Sequence, residues 1–416
     1  MFRQGVGIFS WVLIILILIV TLNFFSFHIP VYGQTSESPI SPEEYDKIKN
    51  CNTDTSKKPT SVEYLTYFSC GQVTKDESGK TVRHFTLIVE ENQKIPISYE
   101  GHIFDGWTFN GTIPGPTIRV TEGDLVRIRV INSNGNTNAH SFYAQPINYG
   151  ESNSFTKSGQ PGGTISPGRS FTYDFIAKPY GVYPYYCHVE PIADHINRGL
   201  YGMMIIDPKE PRPQMEEMAM LLNGYDLDLD LEGPTKLPPI VSIEEPDTNL
   251  TSDSSGNNTT EMNMSDMTQP SMSNDEGSTE EESTVREERV NEIYTVNGKA
   301  FDYMMNPIVL HTGKPYRVYV INMLEFDSVN SIHVHGAMFD WYSAGTDKST
   351  ADFLTDIVTL AKGDRGIMEF TYTYPGTFMF HAHQTLFTDL GWMGLFDVRG
   401  NPVDASASPQ IDNNPF

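Results

Sequence analysis

The stretch from Val182 to Met204, VYPYYCHVEPIADHINRGLYGMM, places a cysteine, two histidines and a glycine-bearing exit within one short segment. Aromatic and β-branched residues lead into it and apolar residues leave it, a pattern that predicts a strand, a loop and a second strand. Neighbouring side chains of a strand point to opposite faces. Cys187 and His188 are therefore poorly placed to serve one metal and well placed to serve two, one inside a sandwich and one at its edge.

Outward from this stretch, the chain reads as all-β. It has 416 residues, long enough for two domains and linkers. Aromatics and glycines are plentiful, and short apolar runs are broken by Gly, Pro, Asn and Asp with no long amphipathic helical pattern. Strand-like text begins near residue 82 and continues through NGTIPGPTIRVTEGDLVRI to about Asp207; it resumes at EIYTVNGKAF and runs to about residue 398. The expectation is two β-sandwich domains, residues 82–207 and 290–398.

The two halves share a pair of signatures in the same order. The first carries His140, Tyr143 and Gln145 in HSFYAQ, then Tyr186, Cys187 and His188; the second carries Asn330, His333 and His335 in NSIHVH, then His381, Ala382 and His383. Each half keeps what the other lost. Two imidazoles and one thiolate are a ligand set for a copper that passes single electrons, and three imidazoles with an open position can hold a catalytic copper.

The remaining segments read differently. Residues 1–33 hold Arg3 and an apolar run from about Ile8 to Phe27, either a cleaved signal peptide or a single N-terminal membrane anchor, with Val31-Tyr32-Gly33 as a cleavage site. Export follows, to an extracellular, cell-surface or periplasm-like space. Residues 34–81 form a polar extension with Tyr64, Tyr67 and Phe68 as anchors, residues 208–234 a covering connector, and residues 399–416 a frayed tail. From about 244 to 289 the chain is acidic and Ser-, Asn- and Met-bearing with almost no large aliphatics, a disordered linker that completes the non-sandwich span 208–289. It carries glycosylation sequons at Asn249, Asn257, Asn258 and Asn263, with another at Asn110, and the thioethers Met262, Met264, Met267 and Met272, which can collect Cu(I) or simply be part of a flexible tract. Cys51 and Cys70 either pair in an oxidising compartment or stay free. Net charge is -25 with no basic stripe, which argues against nucleic acid as a partner.

With these motifs in hand, the chain resembles the two-domain multicopper oxidases and the closely similar copper-containing nitrite reductases. SIHVHGAMF and NGTIPGPTIRVTEGDLVRI carry the likeness, which covers about residues 82–207 and 290–398. The resemblance implies tandem cupredoxin-like Greek-key β-sandwiches, copper as cofactor, and a homotrimer with metal sites between subunits. It further implies a type 1 copper on His140, Cys187 and His195, with Leu200 at the axial position where a Met is common. By register Met203 and Met204 do not replace it, so a three-coordinate copper of raised potential is expected. In the second half the matching positions are Asn330, Ala382 and Phe387, which excludes a second type 1 copper.

Of the eight histidines that ring the family's trinuclear cluster, this chain has His188, His333, His335, His381 and His383; Tyr143, Gln145 and Tyr186 hold the other places. One three-histidine set stays complete, His188 from one domain with His335 and His381 from the other, and His333 and His383 are additional ligands. Tyr143, which stands where the nitrite reductases keep a proton-relaying Asp, and Tyr186 can supply a proton or pack as aromatics. The expected function is an exported copper oxidoreductase reducing nitrite, a small-molecule substrate, to nitric oxide with electrons from a redox partner protein. Two alternatives stand beside it: a multicopper oxidase acting on phenols, metal ions or small nitrogen compounds, and a non-catalytic blue-copper electron carrier or copper-binding protein.

Overall fold

A computed structural model describes residues 51–52, 58–149, 164–228, 291–346 and 350–400. Four sheets build two sandwiches. In the first, an outer sheet runs Gln72–Lys75, Thr81–Pro96, Leu125–Asn132, Ser170–Ile176 in spatial order, with Ile103–Phe109 also paired to Thr81–Pro96. Its inner sheet runs Cys51–Asn52, Phe68–Ser69, Thr117–Thr121, Tyr201–Asp207, Gly181–Tyr186, Tyr143–Ala144. The second sandwich has an inner sheet in the order Glu292–Val296, Glu216–Asp226, Pro315–Asn322, Arg365–Thr371, Phe339–Ser343, Phe353–Thr355. Its outer sheet runs Ile308–His311, Met393–Arg399, Gly376–His381, Val329–Val334, Ile357–Ala361.

Burial explains which strands alternate and which do not. On the outer strand Thr81–Pro96, Phe85, Leu87 and Val89 enter the first core while Thr86 and Ile88 turn outward, giving a period of two. The inner sheets are covered on both faces. Met204 and Ile206 face the first sandwich's core, Met203 and Ile205 a core shared with the second; Met218, Met220 and Leu222 face the second sandwich's core, Ala219 and Leu221 the shared one. A strand buried on both sides reads as a continuous apolar run. The shared core is pinned by buried charge: Arg119 meets Asp207 through two bonds of 2.7 and 2.9 Å and Glu217 at 2.7 Å, while Arg317 meets Glu217 at 3.0 Å and Glu369 at 2.6 Å.

That double burial corrects the sequence reading of 208–234 as a connector. Glu216–Asp226 is a strand inside the second sheet, parallel to Pro315–Asn322 and antiparallel to Glu292–Val296. MAMLL lacks the polar alternation that marks an outer strand, so its periodicity gave no signal. The second sandwich therefore includes residues upstream of 290. The 34–81 extension is likewise partly structural: Phe68–Ser69 and Gln72–Lys75 extend the two sheets of the first sandwich, and Cys51 is disulfide-bonded to Cys70. Tyr64, Tyr67 and Phe68 are buried as expected, and Tyr64 donates to the Gly115 carbonyl at 3.0 Å. The helix Ser61–Tyr64 also touches the second sandwich, where the Ser61 hydroxyl bonds Asp302 and the Ser61 carbonyl accepts from Tyr303 at 2.6 Å.

Asn110 sits at φ 58° and its carboxamide is engaged, donating to the Thr86 carbonyl at 3.1 Å and accepting from the Ile88 N–H at 2.7 Å. The export segment, the acidic linker with its sequons and methionines, and the tail lie outside the described residues. No described helix is long and apolar enough to cross a membrane.

Candidate functional site

The inner strand Gly181–Tyr186 ends one residue before Cys187, and the segment beyond it forms a short helix, Ile192–Asn197, before the chain re-enters the sheet at Tyr201. The loop expected here thus contains a helix, and His195 sits on it. The Leu200 N–H bonds the His195 carbonyl at 3.1 Å, and the Cys187 N–H bonds the Leu200 carbonyl at 3.0 Å, so the hairpin folds the two side chains onto one point. His140 arrives from the facing edge, held by a pair of backbone bonds with Ile165.

His140, Cys187 and His195 form a buried group whose ligand atoms lie within 4.8 Å of one another. Sγ of Cys187 is 3.2 Å from Nδ1 of His195 and 3.9 Å from Nδ1 of His140, and the Ser141 N–H points at the sulfur from 3.3 Å. Burial pushes both imidazoles toward the neutral form, His195 down to about 4 with His140 and Arg198 adding repulsion, while it pushes the Cys187 thiol up. Neutral imidazoles around a thiol whose proton a bound metal would displace are a fitting donor set for copper. Leu200 is fully buried beside them; Met204, four residues along the strand, shares the same core but lies about 13 Å further on, at roughly 3.3 Å per residue. Met203 faces the shared core instead.

Two residues at this site were absent from the sequence reading. Trp107 makes T-shaped contacts with both rings, at centroid distances of 5.1 Å to His140 and 5.0 Å to His195, and the Arg198 guanidinium lies over the Trp107 ring at 4.4 Å. Glu91 holds Nε2 of His140 at 2.8 Å. The signal for Glu91 was present: in FTLIVEE it follows Phe85, Leu87 and Val89 on the core-facing register, where a carboxylate needs a buried partner.

The second sandwich repeats the scaffold without the ligands. The Ala382 N–H bonds the Trp392 carbonyl and the Trp392 N–H bonds the Phe387 carbonyl, matching the bonds made by Cys187, Leu200 and His195. Trp392 is fully buried and donates Nε1–H to Oδ1 of Asn330 at 3.1 Å, and Phe387 stacks on Tyr294 at 4.0 Å. Indole and phenyl thus stand where the first sandwich has Leu200 and His195.

Instead, this sandwich gathers its histidines at one end. His333, His335 and His381 bring ligand atoms within 4.8 Å of one another, and the Nε2 atoms of His335 and His381 are 3.2 Å apart. Nδ1 of His381 faces the Ala382 carbonyl at 2.6 Å and Nδ1 of His333 the Asp356 carbonyl at 2.9 Å. A carbonyl only accepts, so both rings carry their proton on Nδ1 and present a bare Nε2, the arrangement of metal-ligating histidines. Burial, with repulsion from His333, His335 and His383, lowers the His381 pKa. His383 flanks the group at 5.4 Å from His333, and a cleft of about 540 Å³ lined by His333, His335, Met338 and Asp356 opens beside it. These donors also fit copper.

Within the chain the third member beside His335 and His381 is His333, one of the two additional ligands expected, because His333 pairs with His381 across the strands and His335 follows two residues on; His188 stands apart from this group. His188 packs with Tyr143 and Tyr186 at 5.0 and 5.9 Å, its backbone N–H on the Ser141 hydroxyl. Tyr143 donates to Oε1 of Gln145 at 2.7 Å, and burial followed by Tyr143 and Glu325 raises the Tyr186 pKa. Among the described residues no third group of three ligands occurs.

Comparison with known proteins agrees with this class of site. Two family models, both described as multicopper oxidase, match residues 91–211 and 256–402. The copper-containing nitrite reductase of Neisseria meningitidis serogroup B is 33% identical over 142 residues, which is 33% of this chain and 33% of that protein, so the match spans about a third of the curated relative's length. A solved multicopper oxidase structure is 33% identical, with a TM-score of 0.61, over 82% of this chain and 97% of the other. A copper nitrite reductase from Nitrosomonas europaea, 20% identical with a TM-score of 0.55 over 76% of this chain and 94% of the other, shares the fold. Tandem cupredoxin-like sandwiches with histidine and cysteine donor groups define a copper oxidoreductase. The chain belongs to the multicopper oxidase family.

Proposed function

We propose that the protein is an exported copper oxidoreductase that reduces nitrite by one electron, NO2⁻ + 2 H⁺ + e⁻ giving NO and H2O. The observation that carries this reading is the pairing of one buried His–Cys–His group with one half-exposed three-histidine group in the other sandwich. Copper at the first position supplies a one-electron couple, and at the second an open coordination position for a small oxyanion. Cys187 and His188 are adjacent in the chain, so the backbone between them is a short covalent path out of the buried group toward the domain edge. Leu200, buried beside this group with no donor atom in its side chain, would favour a high potential for a copper held there.

Within one chain His188 faces Tyr143 and Tyr186, and His335 and His381 stand in the other sandwich; a homotrimer would bring His188 of one subunit to the histidines of the next. Tyr143 and Tyr186 pack against the His188 ring and serve as proton sources in this reading. The Cys51–Cys70 disulfide supports an oxidising compartment.

A second reading, a multicopper oxidase acting on phenols, metal ions or small nitrogen compounds, is favoured by the solved oxidase whose match covers 82% of this chain and by the fourth histidine, His383, beside the group of three. Metal analysis with electron paramagnetic resonance on the copper-loaded full chain separates the readings. Two coppers per chain, one type 1 and one type 2, together with nitric oxide formed from nitrite support the nitrite reductase, and His335→Ala then loses one copper. Four coppers with oxygen consumption on phenols support the oxidase. A single copper and no turnover leaves an electron carrier and overturns both enzymes.

A further inference from the structure

Glu91 continues the inward face of the strand Thr81–Pro96, and its side chain is 2% exposed. Every approach to its carboxylate is a donor. Oε2 accepts from the Thr137 N–H and hydroxyl, each at 3.0 Å; Oε1 accepts from the Asn138 N–H at 2.9 Å and faces His140 Nε2 at 2.8 Å. Both oxygens therefore act as acceptors, the role of an ionised carboxylate, and neither is left to carry a proton outward.

The backbone is arranged for this contact. The strand register shifts between Glu90 and Gln93, a bulge with Asn92 at φ 55°, and bulges re-aim a side chain beside a site. Asn136 locks the surrounding loop, accepting from the Glu91 N–H at 3.0 Å and donating to the Val89 carbonyl and to Oδ1 of Asn132 at 2.9 and 2.7 Å. An ionised carboxylate accepts only, so the His140 proton must sit on Nε2, which leaves the Nδ1 lone pair directed at Cys187 and His195.

We propose that Glu91 is a positioning residue for the type 1 copper: it fixes the His140 tautomer and ring orientation, and its buried negative charge favours the cupric over the cuprous state. The proposal rests on the reading that His140, Cys187 and His195 hold copper. It sets the Glu91 charge in opposition to Leu200, whose side chain would bring no donor atom to a bound copper. A carboxylate that only braced the loop would change stability and leave the potential alone.

The test is a redox titration, with visible absorption and paramagnetic resonance, of the copper-loaded full chain as wild type, Glu91→Gln and Glu91→Asp. Glu91→Gln keeps the shape and loses the charge; its Cu(I):Cu(II) ratio at a fixed ambient potential should rise at least tenfold, about 59 mV for one electron, while Glu91→Asp stays within threefold of wild type. A Glu91→Gln chain that loads copper with its ratio unchanged overturns the proposal and spares the copper reading. A wild-type chain that takes up no type 1 copper overturns both. If neither variant folds, the tautomer decides: nitrogen-15 resonance of the metal-free wild type should show the His140 proton on Nε2, and a proton on Nδ1 refutes the assignment.

Discussion

Replacing His195 by Gln in the metal-free chain removes a group that burial holds far from its ordinary titration range. His195 titrates near 4 in place of 6.5, first because burial disfavours the imidazolium, then because His140 and Arg198 repel it, with Glu91 opposing. In the unfolded chain the ring takes up its proton near pH 6.5, so on acidification the unfolded state binds a proton that the folded state refuses. The stabilisation is complete above that value and is lost as the pH falls toward about 4. At about 1.36 kcal/mol per pH unit, a fall from 6.5 to about 4 corresponds to roughly 3 kcal/mol. Urea unfolding between pH 7 and 4 measures it: metal-free wild type should lose roughly 3 kcal/mol more than His195→Gln over that interval. Copper-loaded wild type should be steeper still, since protons then displace metal as well. Equal pH dependence for metal-free wild type and His195→Gln would refute the burial argument.

Arg119→Ala leaves the Asp207 and Glu217 carboxylates buried without their shared cation, at a cost of about 3–5 kcal/mol in equilibrium denaturation. Adding Glu217→Gln should recover part of that loss, and strict additivity would contradict the network. Trp392→Ala removes a fully buried indole at the position matching Leu200 and should cost about 3–5 kcal/mol, with copper stoichiometry unchanged. Copper gained by this variant would show that Asn330 and its neighbours still form a site.

Much of this was legible because metal ligation and strand alternation both leave local marks. Cys187, His188 and His195 lie within nine residues, and the two His-x-His pairs fall at strand spacing, so the ligands identify themselves without a third dimension. The first sandwich's outer strands were equally readable, since one face meets water. Glu216–Asp226 was not, because both its faces are buried and its apolar residues therefore run on without a period. Trp107 and Glu91 come to His140 from 33 and 49 residues away in sequence, and no motif spacing links them to it.

The sequence by itself determined the class of fold, and its resemblance to the family picked out His140, Cys187 and His195 as a donor set and Asn330, Ala382 and Phe387 as its lost counterpart, because Cys187 and His195 share one hairpin and the two signatures recur in order in both halves. Tertiary structure decided the rest. It brought His333 together with His335 and His381 within the chain, packed Trp392 against Asn330, and set Glu91 behind His140. Those outcomes depend on how strands distant in sequence are laid side by side, and that is decided by the packing of whole sheets against one another.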